Sequence, residues 1–336
     1  MKNKTLKLCN ENIHAGERLS LALPLPELFS CTPLYMPIKI IHGKQAGPCL
    51  LVIAAVRGNE LNGTEIINRL LDSPSVQKLK GTLIAIPVVN VYGLMTRSRN
   101  MPGDVDLDKS FPGSEHGTHA ARVADAFLKN IVDLADYCID LRTGFLNYTN
   151  LPQIFITPGD EQGKMMAKAF DAPVISKVKP LPHSLRTMAK EQNKPYIVYE
   201  AGEAMRFDES AIKVGVKGIK NVMRKLDMLP IKPSIRPIKH FITEECVWVR
   251  ASTSGICHSQ IQLGQLVKKD ELLTTINDPF AAGKSEEIYS PYEAVVVGKN
   301  NSPLVHEGES IFQLAIFPEM EQAANHFENW QDGELK

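Results

Sequence analysis

Through the first two thirds of the chain, apolar positions come in unbroken blocks rather than in alternation. "CLLVIAAV" (49–56), "GTLIAIPVVNV" (81–91) and "YCIDL" (137–141) are continuous apolar runs of strand length, the pattern of strands covered on both faces. "YMPIKII" (35–41), "LPQIFIT" (151–157) and "KPYIVYEAG" (194–202) add further strands. Between them apolar residues recur at helical spacing. Ile66, Ile67, Leu70 and Leu71 share a face in "LNGTEIINRLLDS", "THAARVADAFLKNIVDLA" (118–135) reads as a helix, and another falls near 160–170. Ile212, Val216, Ile219, Met223 and Leu226 repeat at four-three-four-three spacing behind Asp208, a suitable N-cap. Strands and helices in alternation predict an α/β fold, with a largely parallel or mixed sheet between helices.

The texture changes after "LPIKPSIRPIKH" (229–240), whose prolines suit a connector. Residues 245–279 and 286–317 are short alternating runs separated by Gly, Asn and Ser turns, the pattern of an all-β module. The expected organisation is an α/β domain over 1–235, a C-terminal β module over 236–320 and an acidic tail over 321–336.

Composition excludes more than it identifies. The 336 residues are 43% hydrophobic and 23% charged, ordinary for a globular protein, and 38 Lys and Arg balance 38 Asp and Glu. No overall charge draws the chain to nucleic acid or to a membrane surface. The N-terminal apolar stretch is broken by Pro24 and Pro26 and makes a poor signal peptide, and no apolar run approaches membrane-spanning length. Cys9, Cys31, Cys49, Cys138, Cys246 and Cys257 lack a paired spacing, so reduced thiols and a cytoplasmic location are expected.

Three familiar chemistries fail on inspection. Gly283-Lys284-Ser285 lacks the earlier glycine a phosphate loop needs, since Asp278 stands there. His116 and His119 have metal-compatible spacing, but two imidazoles do not complete a zinc site. No serine lies in a Gly-x-Ser-x-Gly elbow.

Four blocks remain: "GPCLLVIAAVRGNELNGTEIINRL", "GDVDLDKSFPGS", "DYCIDLRTG" and "PYIVYEAG". In order and spacing they resemble the signature blocks of the succinylglutamate desuccinylase and aspartoacylase family, within the zinc carboxypeptidase superfamily. The phrases "SGICHSQIQLGQLVKKDELLTTINDPF" and "SPYEAVVVG" resemble that family's C-terminal module, so the likeness spans nearly the whole chain. It implies a carboxypeptidase-like α/β domain and a nominal activity of hydrolysing the amide of N-acyl amino acids with zinc. The family's zinc ligands, two histidines and a glutamate, correspond here to Arg57, Arg142 and Glu60. An Asn-Arg pair that grips the substrate carboxylate corresponds to Asp108 and Lys109, and a further substrate-holding arginine to Arg99, or Arg97 if the loop is one residue short. Glu200 stands where the family keeps its general base.

A guanidinium has only donors and stays protonated, so it cannot take the place of an imidazole on zinc. No metal is therefore expected at these positions. Zinc with two neutral histidines and a glutamate carries one net positive charge, and so do two arginines with a glutamate. Three readings stay open. In the first, the chain is a metal-free homologue in which Arg57, Glu60, Arg142, Arg99, Asp108 and Lys109 bind a small anionic or N-acyl amino-acid ligand, or a peptide end. In the second it is a hydrolase working through Glu200, without metal or with an unexpected one. In the third it is a non-catalytic interaction protein using the β module. Oligomeric state, including a homo-oligomer, is left open.

Overall fold

The computed structural model describes residues 2–29, 32–231, 241–243, 245–280, 285–323, 325 and 327. Most of the proline-rich connector, most of the Gly-Lys-Ser stretch and most of the acidic tail lie outside these residues.

The α/β part runs through β1 (Leu6–Leu8), β2 (Glu11–Ile13), β3 (Arg18–Pro24), β4 (Tyr35–His42), β5 (Cys49–Ala54), α1 (Asn62–Asp72), β6 (Thr82–Ile86), α2 (Val91–Thr96) and α3 (His119–Asn130). It continues with β7 (Tyr137–Arg142), β8 (Tyr148–Ile156), α4 (Glu161–Phe170), β9 (Val174–Lys177), α5 (Leu185–Glu191), β10 (Tyr196–Gly202) and α6 (Glu209–Lys225). β5 pairs in parallel with β6 and β7, and β10 in parallel with β7, while β4, β3 and β8 join antiparallel. Of the expected helix over 118–135, only His119–Asn130 is α-helical. Ile131 leaves helical geometry, and a 3₁₀ turn follows at Val132–Leu134.

Helices cover both faces of the sheet. Ile66, Leu70, Phe170 and Ile219, from α1, α4 and α6, pack on one face; Phe127, Leu185 and Met188, from α3 and α5, pack on the other. This explains the unbroken apolar runs: Leu50 to Ala54 and Leu83 to Ile86 are wholly enclosed.

Beyond the connector come β11 (Phe241–Thr243), β12 (Glu245–Arg250), β13 (Gly255–His258), β14 (Leu266–Val267), β15 (Leu272–Asn277), β16 (Glu286–Tyr289), β17 (Ala294–Asn300), β18 (Leu304–Val305) and β19 (Ser310–Ile316). Strands β13, β15, β16 and β18 form a separate four-stranded sheet. The others continue the main sheet: β17 pairs with β8 through Gly298↔Asn150, Lys299↔Thr149 and Asn300↔Tyr148, and β11 runs parallel to β9. Among the described residues the main sheet has 13 strands, and the β region is hydrogen-bonded to the strand beside β10.

Candidate functional site

The parallel strands β5, β7 and β10 end together, and the chain leaving each carries a charged residue of the candidate site. After β5, Ala55 turns with φ 49° and the loop passes against α2 so closely that a Cβ on Gly58 would lie 2.1 Å from the Gly93 carbonyl carbon. Only glycine fits there, and the turn places Arg57 and Glu60 over the sheet end. β7 ends on Arg142, and β10 carries Glu200 directly opposite it. Because side chains alternate along a strand, Asp140 shares the face of Arg142. On the other side of β10, Gln153 of β8 faces Glu200 in register. The loop after α2 brings in Arg99, while Asp106 caps a 3₁₀ turn (Leu107–Lys109) through the Asp108 amide and so orients Asp108.

Three guanidinium groups and four carboxylates meet here. Arg142 Nη1 donates to Asp108 Oδ2 at 2.6 Å, and its Nε and Nη2 reach Asp140 Oδ2 at 2.7 and 2.6 Å. Tyr196 donates its hydroxyl to the same Asp140 oxygen at 2.9 Å. Arg57 contacts Glu60 at 3.4 Å, Asp108 at 3.5 Å and Asp106 at 3.9 Å, and its buried Nε has no hydrogen-bond partner. Arg99 lies 3.7 Å from Glu60 and 3.5 Å from Asp106, with its guanidinium carbon 4.5 Å from the centre of the Phe145 ring. Glu60 also accepts from the Thr143 amide at 3.4 Å, and Asn150 donates to Glu200 at 2.6 Å.

Burial and charge pull these groups in different directions. Burial pushes the Glu200 carboxyl up to about 7, and repulsion from Glu60 adds to this against the pull of Arg57, Arg142 and Arg99. Glu60 is raised for the same leading reason, burial, although all three arginines oppose it. Burial would raise Asp108 too, but Arg142 and Arg57 outweigh it and hold the carboxyl below the usual range. Arg142 is driven well above the ordinary arginine value: burial opposes its charge, and Asp108 and Asp140 more than compensate.

The structure therefore gathers Arg57, Glu60, Arg99, Asp108 and Arg142, with Glu200 on the adjoining strand. Lys109 is exposed and takes no part in the cluster's ion pairs, since the short turn that buries Asp108 faces its neighbour outward. Arg97 is likewise exposed, at the left-handed end of α2. His116 is exposed, His119 packs edge-on against Tyr92 at 4.7 Å, and neither takes part in the cluster's ion pairs. Sequence reasoning missed Asp106, Asp140, Tyr196 and Asn150. Asp140 was detectable, being two residues before Arg142 on a strand; Tyr196 and Asn150 have no comparable local signal.

A mixed sheet between two helical layers, with a charged cluster over the ends of parallel strands and a β region extending the sheet, is the zinc-carboxypeptidase-like α/β fold. The sequence profile of the succinylglutamate desuccinylase/aspartoacylase catalytic domain matches residues 46–226, more than half of the chain, and the chain belongs to that family. It is 21% identical over 292 residues to the N-alpha-acetyl-L-2,4-diaminobutyric acid deacetylase of Halomonas elongata, covering 83% of this chain and 85% of that protein. Among solved structures, a succinylglutamate desuccinylase/aspartoacylase from Rhodobacter sphaeroides superposes with TM-score 0.81 at 20% identity, covering 89% of this chain and 96% of that one. The product-bound ectoine utilization protein of Ruegeria pomeroyi gives TM-score 0.80 at 22% identity, covering 89% and 95%.

The fold family implies zinc, and the donors at this site do not fit it. Arg57 and Arg142 offer no lone pair. Asp108 and Asp140 each give the Oδ2 atom to Arg142, and a dication would have to enter among three guanidinium groups. Among the described residues, no group of three or more His, Cys, Asp or Glu side chains is placed to hold a metal ion elsewhere.

Proposed function

We propose that this chain is a metal-free member of the deacylase family that binds a small carboxylate ligand, an N-acyl amino acid or an acylated peptide end, without zinc-driven hydrolysis. The observation that carries this reading is the unequal use of the arginines. Arg142 is 8% exposed and spends its Nε and both terminal nitrogens on Asp108 and Asp140, so it serves as a scaffold. The Arg99 side chain is 26% exposed, and its carboxylate neighbours at 3.5 and 3.7 Å are at the edge of or beyond good hydrogen-bonding distance. Arg57 keeps an unpartnered Nε. The Arg99 guanidinium, partly open to solvent, suits an incoming carboxylate, whereas the spare Arg57 donor is buried within the cluster. The names of the relatives, a deacetylase and desuccinylases, support an N-acyl amino acid as the ligand class.

A second reading rests on Glu200, whose value of about 7 suits a general base. Without a metal to lower the pKa of water, such a base would act on unactivated water, which favours a reaction easier than amide hydrolysis. The two readings separate in one experiment. Protein from zinc-supplemented medium is assayed for metal by plasma mass spectrometry, then for binding and turnover of N-acetyl and N-succinyl amino acids. Binding that Arg99→Ala removes, with zinc far below stoichiometric and no turnover, is the expected result. Chelator-insensitive turnover abolished by Glu200→Gln would replace it with the second reading, and stoichiometric zinc would overturn both.

A further inference from the structure

Four large apolar side chains stand open to solvent on the loops that rim the arginine cluster: Phe145 (54% exposed), Leu146 (58%), Met205 (37%) and Phe207 (68%). These loops are fixed to each other and to the site. Gly144 N donates to Gly202 O at 3.0 Å, Ala204 N to Gly144 O at 3.2 Å, and Asn147 N to Glu203 Oε1 at 3.0 Å. Met205 N reaches Asn59 O at 3.0 Å, between Arg57 and Glu60, and Asp208 N reaches Asn62 Oδ1 at 3.1 Å. Ordered loops holding large apolar groups in water, beside a buried charged centre, are the arrangement of a ligand site with an apolar wall. Phe145 joins the two parts, because the Arg99 guanidinium lies over its ring at 4.5 Å.

Building on the carboxylate-binding reading, we propose that the ligand is an amphiphilic monoanion. Its carboxylate meets Arg99, and an aromatic side chain or extended acyl group lies against Phe145, Leu146, Met205 and Phe207. The charges select against a second carboxylate. Arg57, Arg99 and Arg142 already face Glu60, Asp106, Asp108 and Asp140, with Glu200 on the next strand, so a dianion would put its extra charge against acids. The apolar rim likewise rewards carbon over charge at the ligand's far end.

The test is calorimetric titration of the full-length chain with N-acetylglycine, N-acetyl-L-phenylalanine and N-acetyl-L-aspartate. Burying a phenyl group against such a wall is expected to favour the phenylalanine derivative over the glycine one by about tenfold or more. The aspartate derivative should bind no better than the glycine one. Phe207→Ser and Leu146→Ser should each narrow the phenylalanine-to-glycine ratio, with circular dichroism verifying the fold. Equal affinity for the glycine and phenylalanine derivatives would overturn this inference and leave the carboxylate reading standing. Failure of all three to bind would overturn both. A dimer in sedimentation that Phe207→Asp dissolves, with no selectivity among the ligands, would assign the rim to a second copy of the chain and also overturn it.

Discussion

If Arg142 is scaffold and Arg99 is ligand-facing, removing each should fail in a different way. Arg142→Met keeps much of the side-chain volume but strands Asp108 (4% exposed) and Asp140 (0%), whose Oδ1 atoms already lack partners. What remains is the 2.9 Å bond from Tyr196 to Asp140, and for Asp108 a 3.5 Å contact from Arg57 and the backbone amide of Leu185. Breaking a buried ion pair from one side costs about 3–5 kcal/mol, because the uncompensated charge stays inside. The Arg99 contacts are longer and partly in water, so Arg99→Ala should cost about 1 kcal/mol or less. In thermal unfolding followed by circular dichroism, the first variant should melt roughly 10 °C below the parent and the second within roughly 3 °C. Adding Asp108→Asn and Asp140→Asn to Arg142→Met should recover part of the loss, the signature of coupled charges. An Arg142→Met loss below about 1 kcal/mol, or an Arg99→Ala loss as large as that of Arg142→Met, would refute the division of roles.

Three further outcomes follow from the same geometry. The Glu200 carboxyl titrates at about 7 against an ordinary 4.5, so the folded state holds its proton more tightly than the unfolded one. Stability should fall as pH rises between those values and stay reduced above 7, by at most roughly 3 kcal/mol. Glu200→Gln keeps an acceptor for Asn150, so urea unfolding should show it more stable than the parent at pH 8, with the gap closing by pH 5; a gap independent of pH would contradict this. Asp108 has the opposite sign, stabilising above its ordinary range and losing that contribution as acid protonates it. Gly298→Ala would put a Cβ 2.7 Å from Asn150 Oδ1 and 2.8 Å from the Tyr148 ring, so it should cost about 1–3 kcal/mol by displacing the donor to Glu200. An unchanged urea midpoint would show that β17 does not brace the site.

The central sheet was legible because strands enclosed on both faces must be continuously apolar, and Leu50 to Ala54 has nothing polar to hide. The helices with clean periodicity, α1 and α6, were legible because each buries one face and leaves the other polar, and Asp208 caps α6 through the Ala211 amide. Short elements such as α2, α5 and β9 carry too few residues for a period to register. The register of β17 on β8 was also hidden, since long-range pairing leaves no local mark in either segment. At the site, block order located Arg57, Glu60, Arg142 and Glu200. The partners of those residues come from four separate segments, and only Asp140, by strand alternation, could be placed from its neighbour.

The charge of the site shows how much those hidden partners matter. Counting Arg57, Arg142 and Glu60 alone leaves one positive charge, which would favour almost any anion. The folded chain adds Arg99 on one side and Asp106, Asp108 and Asp140 on the other, so three cations face four anions before Glu200 is counted. Asp108 in particular is turned inward to pin Arg142 and Arg57, which removes it from contact with an incoming carboxylate. The cluster is thus nearly self-neutralised, and any remaining attraction for an anion is local to the partly exposed guanidinium of Arg99. If the site takes a ligand as proposed, charge alone would not hold it, and the exposed rim around Phe145 is where apolar contact would be available.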